Sequence, residues 1–383
     1  MNRHDILKSA AAIAVVSQAA VSAIAHPGVY GDTPDAKHAW AVHDWNRPKP
    51  HRVSVSEKGV PSDAIVLFDG SEKSFRENWT VKKGCKSWSV DPDGSLAVRR
   101  VKKGGAPLAT KRPFGDCQLH LEFRHPASIA SDKGYAQDRG NSGVFLMGTA
   151  EGYEVQVLES YNTCRETEGT KDYLDVYTDG QCGAVYAENP PTVNPQKKPG
   201  EWQVYDIVFH QPVWEDGRLV HPGSMTVFMN GVLVQDHWEL EGQTTHRKRR
   251  PLKPHAKAAP LALQYHGSDV FFRNIWIRPL PSRWDNKTHS SMSADEKAVM
   301  KLRRETAAKL YAKIADPGAA TAANVKALAE VVAYANEGRY KADFEKALRN
   351  FYAAKPSDAD RKSVRETLDI LVRNKVIGAE LVK

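Results

Sequence analysis

The sequence predicts a mainly β protein, a two-sheet β-sandwich followed by a small α-helical bundle. Three observations carry this. From Ala64 to about Leu280 the chain is a series of short β-type runs separated by Gly, Pro, Asn and Asp. Within it, Asn230-Gly231 sits between two apolar alternating runs, the signature of a hairpin with a type I′ turn. After Pro279 and Pro281 the composition turns to alanine and lysine at helical spacing.

Along the chain, residues 1–25 read as a secretory signal. Arg3 and Lys8 precede a short apolar run that ends in Ala23-Ile24-Ala25, an A-x-A cleavage site. The mature protein is therefore expected to be periplasmic or extracellular, with no transmembrane segment, since no later run reaches spanning length. Residues 26–62 are rich in Pro, His and Trp and read as an extended arm packing over the main domain through Trp40 and Trp45. The sandwich spans 63–282. Its expected strands are DAIVLFDG, SWSV, SLAVRR, CQLHLEFR, SGVFLM, YEVQVLE, WQVYDIVFH, SMTVFMNGVLVQ, PLALQYH and VFFRNIWI. In the helical region, 290–383, Ser293 and Glu296 resemble a capping box. Val299, Leu302, Leu310 and Ile314 then share a face, Asp316-Pro317-Gly318 breaks the helix, and further helices are expected at 324–335, 341–353 and from Ser357 to about Lys375. This tail carries no cysteine, tryptophan or dense polar constellation, and its expected role is packing or association.

Composition narrows the function. Hydrophobic and charged fractions of 41% and 26% are those of a soluble globular protein. The net charge is +8, and the densest basic run is HRKRR, His246 to Arg250, bounded by Pro251 and Pro254. No recognition motif accompanies it, so it reads as a solvated loop and not as a nucleic-acid site. Export makes disulfides the expectation for the four cysteines, with three connectivities open. Cys164 and Cys182 flank one polar segment and are expected to pair, leaving Cys85 with Cys117; free buried thiols are the alternative. The cysteine spacings match no zinc pattern. No cofactor is expected, and no dense Asp/Asn loop of the calcium type is present, though a structural divalent cation such as calcium stays open.

Period-2 alternation sorts the strand faces. In YEVQVLES, Tyr153, Val155 and Val157 turn to the core while Glu154 and Gln156 turn away. In CQLHLEFR, Leu119, Leu121 and Phe123 turn inward and His120, Glu122 and Arg124 outward; in LALQYH, Gln264 and His266 lie opposite the apolar set. A solvated face would be dominated by lysine, threonine, serine and glutamate, whereas these faces carry no lysine. Planar groups able to make paired hydrogen bonds suit sugar hydroxyls and carbonyls instead. Asn141 in RGNSGVF stands at a strand entrance, and Tyr186 and Trp202 are candidates to stack on a pyranose ring. Each of these also has an ordinary structural reading as a turn or core residue. Arg273 shares its alternating face with Ile275 and Ile277 and reads as an internal salt-bridge partner.

The ordered set LFDG, FGDCQLHLEFR, RGNSGVFLMG, YEVQVLES, GAVYAENPP, KPGEWQVYDIVF, MNGVLVQ, LQYHG and FFRNIWIRPL resembles the 3-keto-disaccharide hydrolase domain family, also described as 3-keto-glucoside lyases and hydratases. The resemblance spans about residues 63 to 280, and the helical extension lies outside it. It implies a concanavalin A-like jelly roll and glucosides already oxidised at C3 by a separate sugar 3-dehydrogenase. Glu159 stands where the family commonly has Asp, and the loop from Thr163 to Cys182 is unusually long.

Such a substrate implies a mechanism. The C3 ketone acidifies the C2 proton, a base forms the enolate, the C1–O bond breaks by elimination, and water adds back, giving net hydrolysis. The expected roles are Glu154 as base, Arg124 as enolate stabiliser, and His266 or Glu122 as acid, with His120, Asn141, Gln156, Tyr186, Trp202 and Gln264 binding the sugar. The alternatives are a conventional glycosidase using Glu122 and Glu154 as a carboxylate pair, and a non-catalytic carbohydrate-binding module.

Overall fold

The computed structural model describes residues 28–131, 135–149, 152–281 and 296–382. The expected signal segment and the Ser293 cap lie outside them. In chain order the elements are β1 (Ile65–Phe68), α1 (Glu72–Asn78), β2 (Trp79–Thr80), β3 (Trp88–Val90), β4 (Leu96–Val98), β5 (Leu108–Phe114), β6 (Cys117–Arg124), β7 (Ser142–Leu146) and β8 (Tyr153–Val157). They continue with β9 (Gln203–His210), β10 (Val213–Glu215), β11 (Arg218–His221), β12 (Ser224–Met229), β13 (Val232–Glu239), β14 (Ala259–Leu263) and β15 (Val270–Pro279). Four helices follow: α2 (Glu296–Tyr311), α3 (Ala322–Tyr334), α4 (Gly338–Ala353) and α5 (Asp358–Arg373). No helix among the described residues is long and apolar enough to cross a membrane.

Two antiparallel sheets form the sandwich. The larger runs β13-β12-β9-β6-β15-β4-β3, with β1 taking a second length of the β15 edge; the smaller runs β2-β5-β14-β7-β8. Alternation works as expected in the middle of each. Leu119, Leu121 and Phe123 of β6 and Tyr205, Ile207 and Phe209 of β9 meet Tyr153, Val155 and Val157 of β8 and Leu261 and Leu263 of β14 in one buried core. Burying one such side chain contributes about 1.5–3 kcal/mol, so a one-residue slip of either central strand would turn its apolar set out to the wrong face. The Asn230-Gly231 hairpin forms as expected, both residues having positive φ between the paired Met229 and Val232.

Several elements depart from the expectation. In β15 the register against β6 shifts between Arg273 and Trp276, so three residues there span two on the partner. Asn274, at φ 47°, is the extra residue. The bulge reverses the phase, so Phe272, Ile275 and Ile277 all face the core while Arg273 turns outward, which corrects its assignment to an internal position. Strand β5 was hidden by Pro113. It pairs with Pro260 where neither residue has an N–H to give, and the Thr110 hydroxyl takes up the Leu261 N–H at 3.0 Å beside the irregularity.

The expected disulfides do not form, and all four cysteines are free thiols. Cys182 is buried with its sulfur 3.1 Å from the Tyr205 hydroxyl, whereas Cys164 points to the Tyr161 carbonyl and Thr167. Cys117 opens β6 inside the core, and Cys85 lies in the preceding loop against Ser87. Burial raises the Cys182 thiol to about 12, so it is inert at neutral pH.

The chain divides into two compact units, residues 50–286 and a second unit that joins the chain up to Lys49 with the C-terminal helices. The arm is thus divided. Residues from Pro50 onward stay with the sandwich, but Trp40 packs with Val299, Ala307, Val331 and Tyr334 of α2 and α3, meeting Tyr334 edge-on at 6.3 Å. Trp45 is half exposed under Lys49. The helices start where their caps allow. Thr321 accepts the Asn324 N–H at 3.2 Å, and Ser357 accepts that of Asp360 at 3.1 Å.

Candidate active site

Strand β8 is buried on both faces, although sequence alternation makes one of them polar. Its inner residues belong to the core. Its outer residues, Glu154 and Gln156, are covered by the loops that follow β8 and β13. The Glu154 N–H donates to Thr244 Oγ1 at 2.9 Å, and its carbonyl accepts the Tyr186 N–H at 3.1 Å. Both segments are therefore stitched to the strand at that residue.

The Glu154 side chain is 3% exposed. Among the described residues no hydrogen-bond donor or cation meets its carboxylate, and burial alone pushes its pKa up to about 8. A buried carboxyl with no partner is costly, and a fold retains one where chemistry needs it. Its place is made by Gly143 on β7, because a Cβ there would stand 2.1 Å from Glu154 Oε1.

Above it, Tyr177 and Tyr186 form a short chain. Their hydroxyls are 3.0 Å apart, and Tyr186 Oη lies 2.8 Å from His246 Nδ1. Burial raises both phenols above their usual range, with the Glu154 charge adding to the effect, so they stay protonated and can donate. These tyrosines, with Tyr135, Asp179 and Arg247, wall a cavity of about 390 Å³. A second cavity of about 330 Å³ adjoins it through Tyr186, Ala187, Lys248 and Arg249. Two buried acceptors on this side have no partner, Gln264 Oε1 and Gln137 Oε1. Gln264 follows β14 and donates its N–H to the Gly143 carbonyl at 2.9 Å, while the Gln137 amide nitrogen donates to the Gly180 carbonyl at 3.1 Å beneath Tyr177. Unfilled acceptors of this kind suit sugar hydroxyls.

The expected site residues fall into two groups. The small sheet and its loops carry Glu154, Gln156, Asn141, Tyr186, Gln264 and His266. Asn141 is buried and donates to the Gln137 carbonyl at 2.7 Å. Gln156 is occupied structurally, its Oε1 accepting the Val157 N–H at 3.1 Å. His266 is exposed beyond the end of β14.

The large sheet carries the others on its outer face, across the core from Glu154. Glu122 binds Arg273, with Nη2 to Oε2 at 2.6 Å, and accepts from Asn274 at 3.0 Å. His120 is held by Asp206 at 2.7 Å and stacks on Trp276 with centroids 5.1 Å apart. The Arg124 and Arg273 guanidiniums lie 4.7 and 4.1 Å from the Trp202 ring. A wider groove of about 980 Å³ opens beside this network, where Glu122 is paired with Arg273 and Asp93 with Arg124. Glu122 and Arg124 therefore cannot serve as acid and enolate stabiliser to Glu154, nor His120 and Trp202 bind the same sugar. Glu122 and Glu154 cannot flank one glycosidic bond either, which removes the carboxylate pair. Periodicity assigned each side chain to the outside of its sheet correctly, but it cannot say which sheet a strand joins.

Sequence reasoning missed Tyr135, Tyr177, Gln137, Thr244 and the covering role of HRKRR, all of which lie in loops without periodicity. Glu159 follows the end of β8 and makes a buried ion pair with Arg139 at 2.6 Å, which closes the loop base. Among the described residues no three His, Cys, Asp or Glu side chains gather as a metal site would require.

Comparison with known proteins agrees with the fold. Residues 63–278 match the 3-keto-alpha-glucoside-1,2-lyase-like domain, and the chain belongs to that family. A protein of Parabacteroides distasonis ATCC 8503, provisionally named a glycosyl hydrolase, is 38% identical, aligned over 61% of this chain and 93% of its own, with a TM-score of 0.51. A second protein of that organism with the same provisional name is 21% identical over 60% of this chain and all of its own, with a TM-score of 0.40. No curated protein matches the chain. The sandwich is the concanavalin A-like jelly roll that the resemblance implies.

Proposed function

We propose that the protein is a carbohydrate-cleaving enzyme acting on 3-keto-glucosides, with its site over the outer face of the small sheet and Glu154 as base. The observation that carries this reading is the buried, unpartnered Glu154 carboxyl, its pKa raised to about 8, on a strand residue whose carbonyl holds the Tyr186 backbone at 3.1 Å. A base near neutrality suits removal of a C–H proton already acidified by a neighbouring ketone.

Glu154 takes the C2 proton, and the electron pair moves into the C3 carbonyl as an enolate. The enolate then expels the C1 oxygen, leaving a C1–C2 double bond conjugated with the ketone. Tyr177 and Tyr186, whose hydroxyls lie 3.0 Å apart, are the donors assigned to steady the enolate and to protonate the departing oxygen. Water then adds at C1, and a proton returns to C2, giving the free 3-keto sugar. Gln264 and Gln137 supply acceptors for ring hydroxyls. A separate sugar 3-dehydrogenase supplies the ketone, and the N-terminal 25 residues direct the enzyme out of the cytoplasm.

The test is NMR in D₂O with a 3-keto-glucoside and its unoxidised parent. Cleavage of the keto sugar alone, with deuterium at C2, is expected. Cleavage of the parent sugar, or no label at C2, would overturn the elimination route, and no cleavage of either would favour a binding module.

A further inference from the structure

We infer that the basic segment His246–Arg250 is the aglycone-selecting element of this site, and that it favours leaving groups that are rings bearing a carboxylate. The inference rests on the function proposed above.

The sequence of this run reads as solvated, but its geometry is not that of a free loop. The Glu188 carboxylate accepts the N–H groups of Glu241 and Gly242, at 3.2 and 3.0 Å, and the Trp238 indole N–H at 3.1 Å. Thr244 N–H binds the Gly152 carbonyl at 3.0 Å. Gly242 is pressed against the Arg250 carbonyl so closely that a Cβ would come within 1.7 Å of it. The two ends of the loop are thus pinched together and the segment is held over Tyr186.

Arg247, Lys248 and Arg249 line the larger cavity, and none has an ion-pair partner among the described residues. Among the described residues Asp179 is the acidic side chain on that lining, and Glu188 and Glu241 line the adjoining cavity. Three cations gathered at one mouth repel one another, and an anion relieves that repulsion. The guanidinium fork matches the planar geometry of a carboxylate. Tyr135, Tyr177 and Tyr186 offer ring surfaces beside the charges. Lys248 and Arg249 border both cavities, so an anion bound there lies between them, and we assign that position to the leaving group. An aromatic acid and a uronic acid present the same chemistry to this mouth.

The experiment uses the full chain and 3-keto-glucosides of 4-hydroxybenzoate, of its neutral amide 4-hydroxybenzamide, and of glucuronic acid, at low and high salt. kcat/KM for the benzoate should exceed that for the amide by roughly tenfold at low salt, as expected for a few partly exposed charge contacts. The ratio should shrink at high salt and fall to about one in the R247S/K248S/R249S variant. A similar preference for the glucuronide identifies a general carboxylate site; preference for one acid alone names its source. Calorimetry with the unoxidised glucosides separates the two claims. Tighter, salt-sensitive binding of the acids without any turnover would keep the anion site and remove the proposed reaction. Equal turnover of benzoate and amide would keep the reaction and overturn the inference, and equal binding with no turnover would overturn both.

Discussion

The side chain of Glu154 lies across Gly143 on the neighbouring strand, so closely that a methyl group at Gly143 would stand 2.1 Å from its Oε1. Gly143 has no positive φ, so its backbone would accept alanine. Gly143→Ala should therefore displace the carboxyl and leave the strand intact. The expected outcome is a fall in kcat of at least about tenfold, with the circular dichroism unchanged, because small misplacements of a reacting group are costly.

Glu154→Gln removes the proposed base but keeps shape and burial. Turnover should fall about 10²–10⁴-fold, with substrate binding retained. Near-wild-type turnover in steady-state assays would rule Glu154 out as the base.

The raised pKa of Glu154 has a signed effect on pH dependence. Its folded value, about 8, lies above the ordinary 4.5, so the folded protein holds this proton more tightly than the unfolded chain. Stability from the protonated carboxyl is complete below 4.5 and is lost as pH rises towards 8, to a total on the order of a few kcal/mol. Glu154→Gln escapes that loss, so its advantage in thermal unfolding over the parent should grow between pH 4.5 and 8 and then level off. In the active enzyme, kcat/KM should rise with pH through a value near 8, since the base must be ionised.

Glu122→Gln is the contrasting variant. Glu122 is paired with Arg273 and Asn274 on the other sheet, away from the cavity. Its substitution should leave kcat within about twofold of wild type and cost about 1 kcal/mol of stability, as for a partly exposed charged hydrogen bond. Turnover assays and denaturant titration read the two effects separately.

Most of the sandwich was legible because its strands have one apolar face, and alternation identifies that face whatever the strand pairs with. Periodicity fails where its premise fails. Asn274 inserts one residue and reverses the phase of half a strand, and Pro113 masks β5. The site was legible in part for a related reason. Glu154 could be assigned to an outward face from YEVQV alone, but alternation carries no information on strand order, so residues of opposite sheets were drawn into one constellation. The covering tyrosines sit in loops whose position depends on tertiary bonds such as Tyr186 to Glu154.

The thiols provide a further check. A protein purified without reductant and unfolded in guanidinium should titrate four thiols per chain, and reductant should leave its melting temperature unchanged. Fewer than four would show that the pairs are brought together after all.

The packing of Trp40 on α2 and α3 makes the helical unit a joint product of the two ends of the chain. Asn46 Nδ2 reaches Glu330 across 284 positions of sequence. On synthesis the arm emerges first and its partners last, with the whole sandwich between them. The sandwich can form while the arm is still alone, but the helical unit must wait for the final turns of chain. Its closure therefore joins two segments far apart in sequence, and loop-closure entropy opposes their meeting. Removing the Trp40 segment or the C-terminal helices would expose the same apolar surface, so the two are one structural element for anyone trimming this chain.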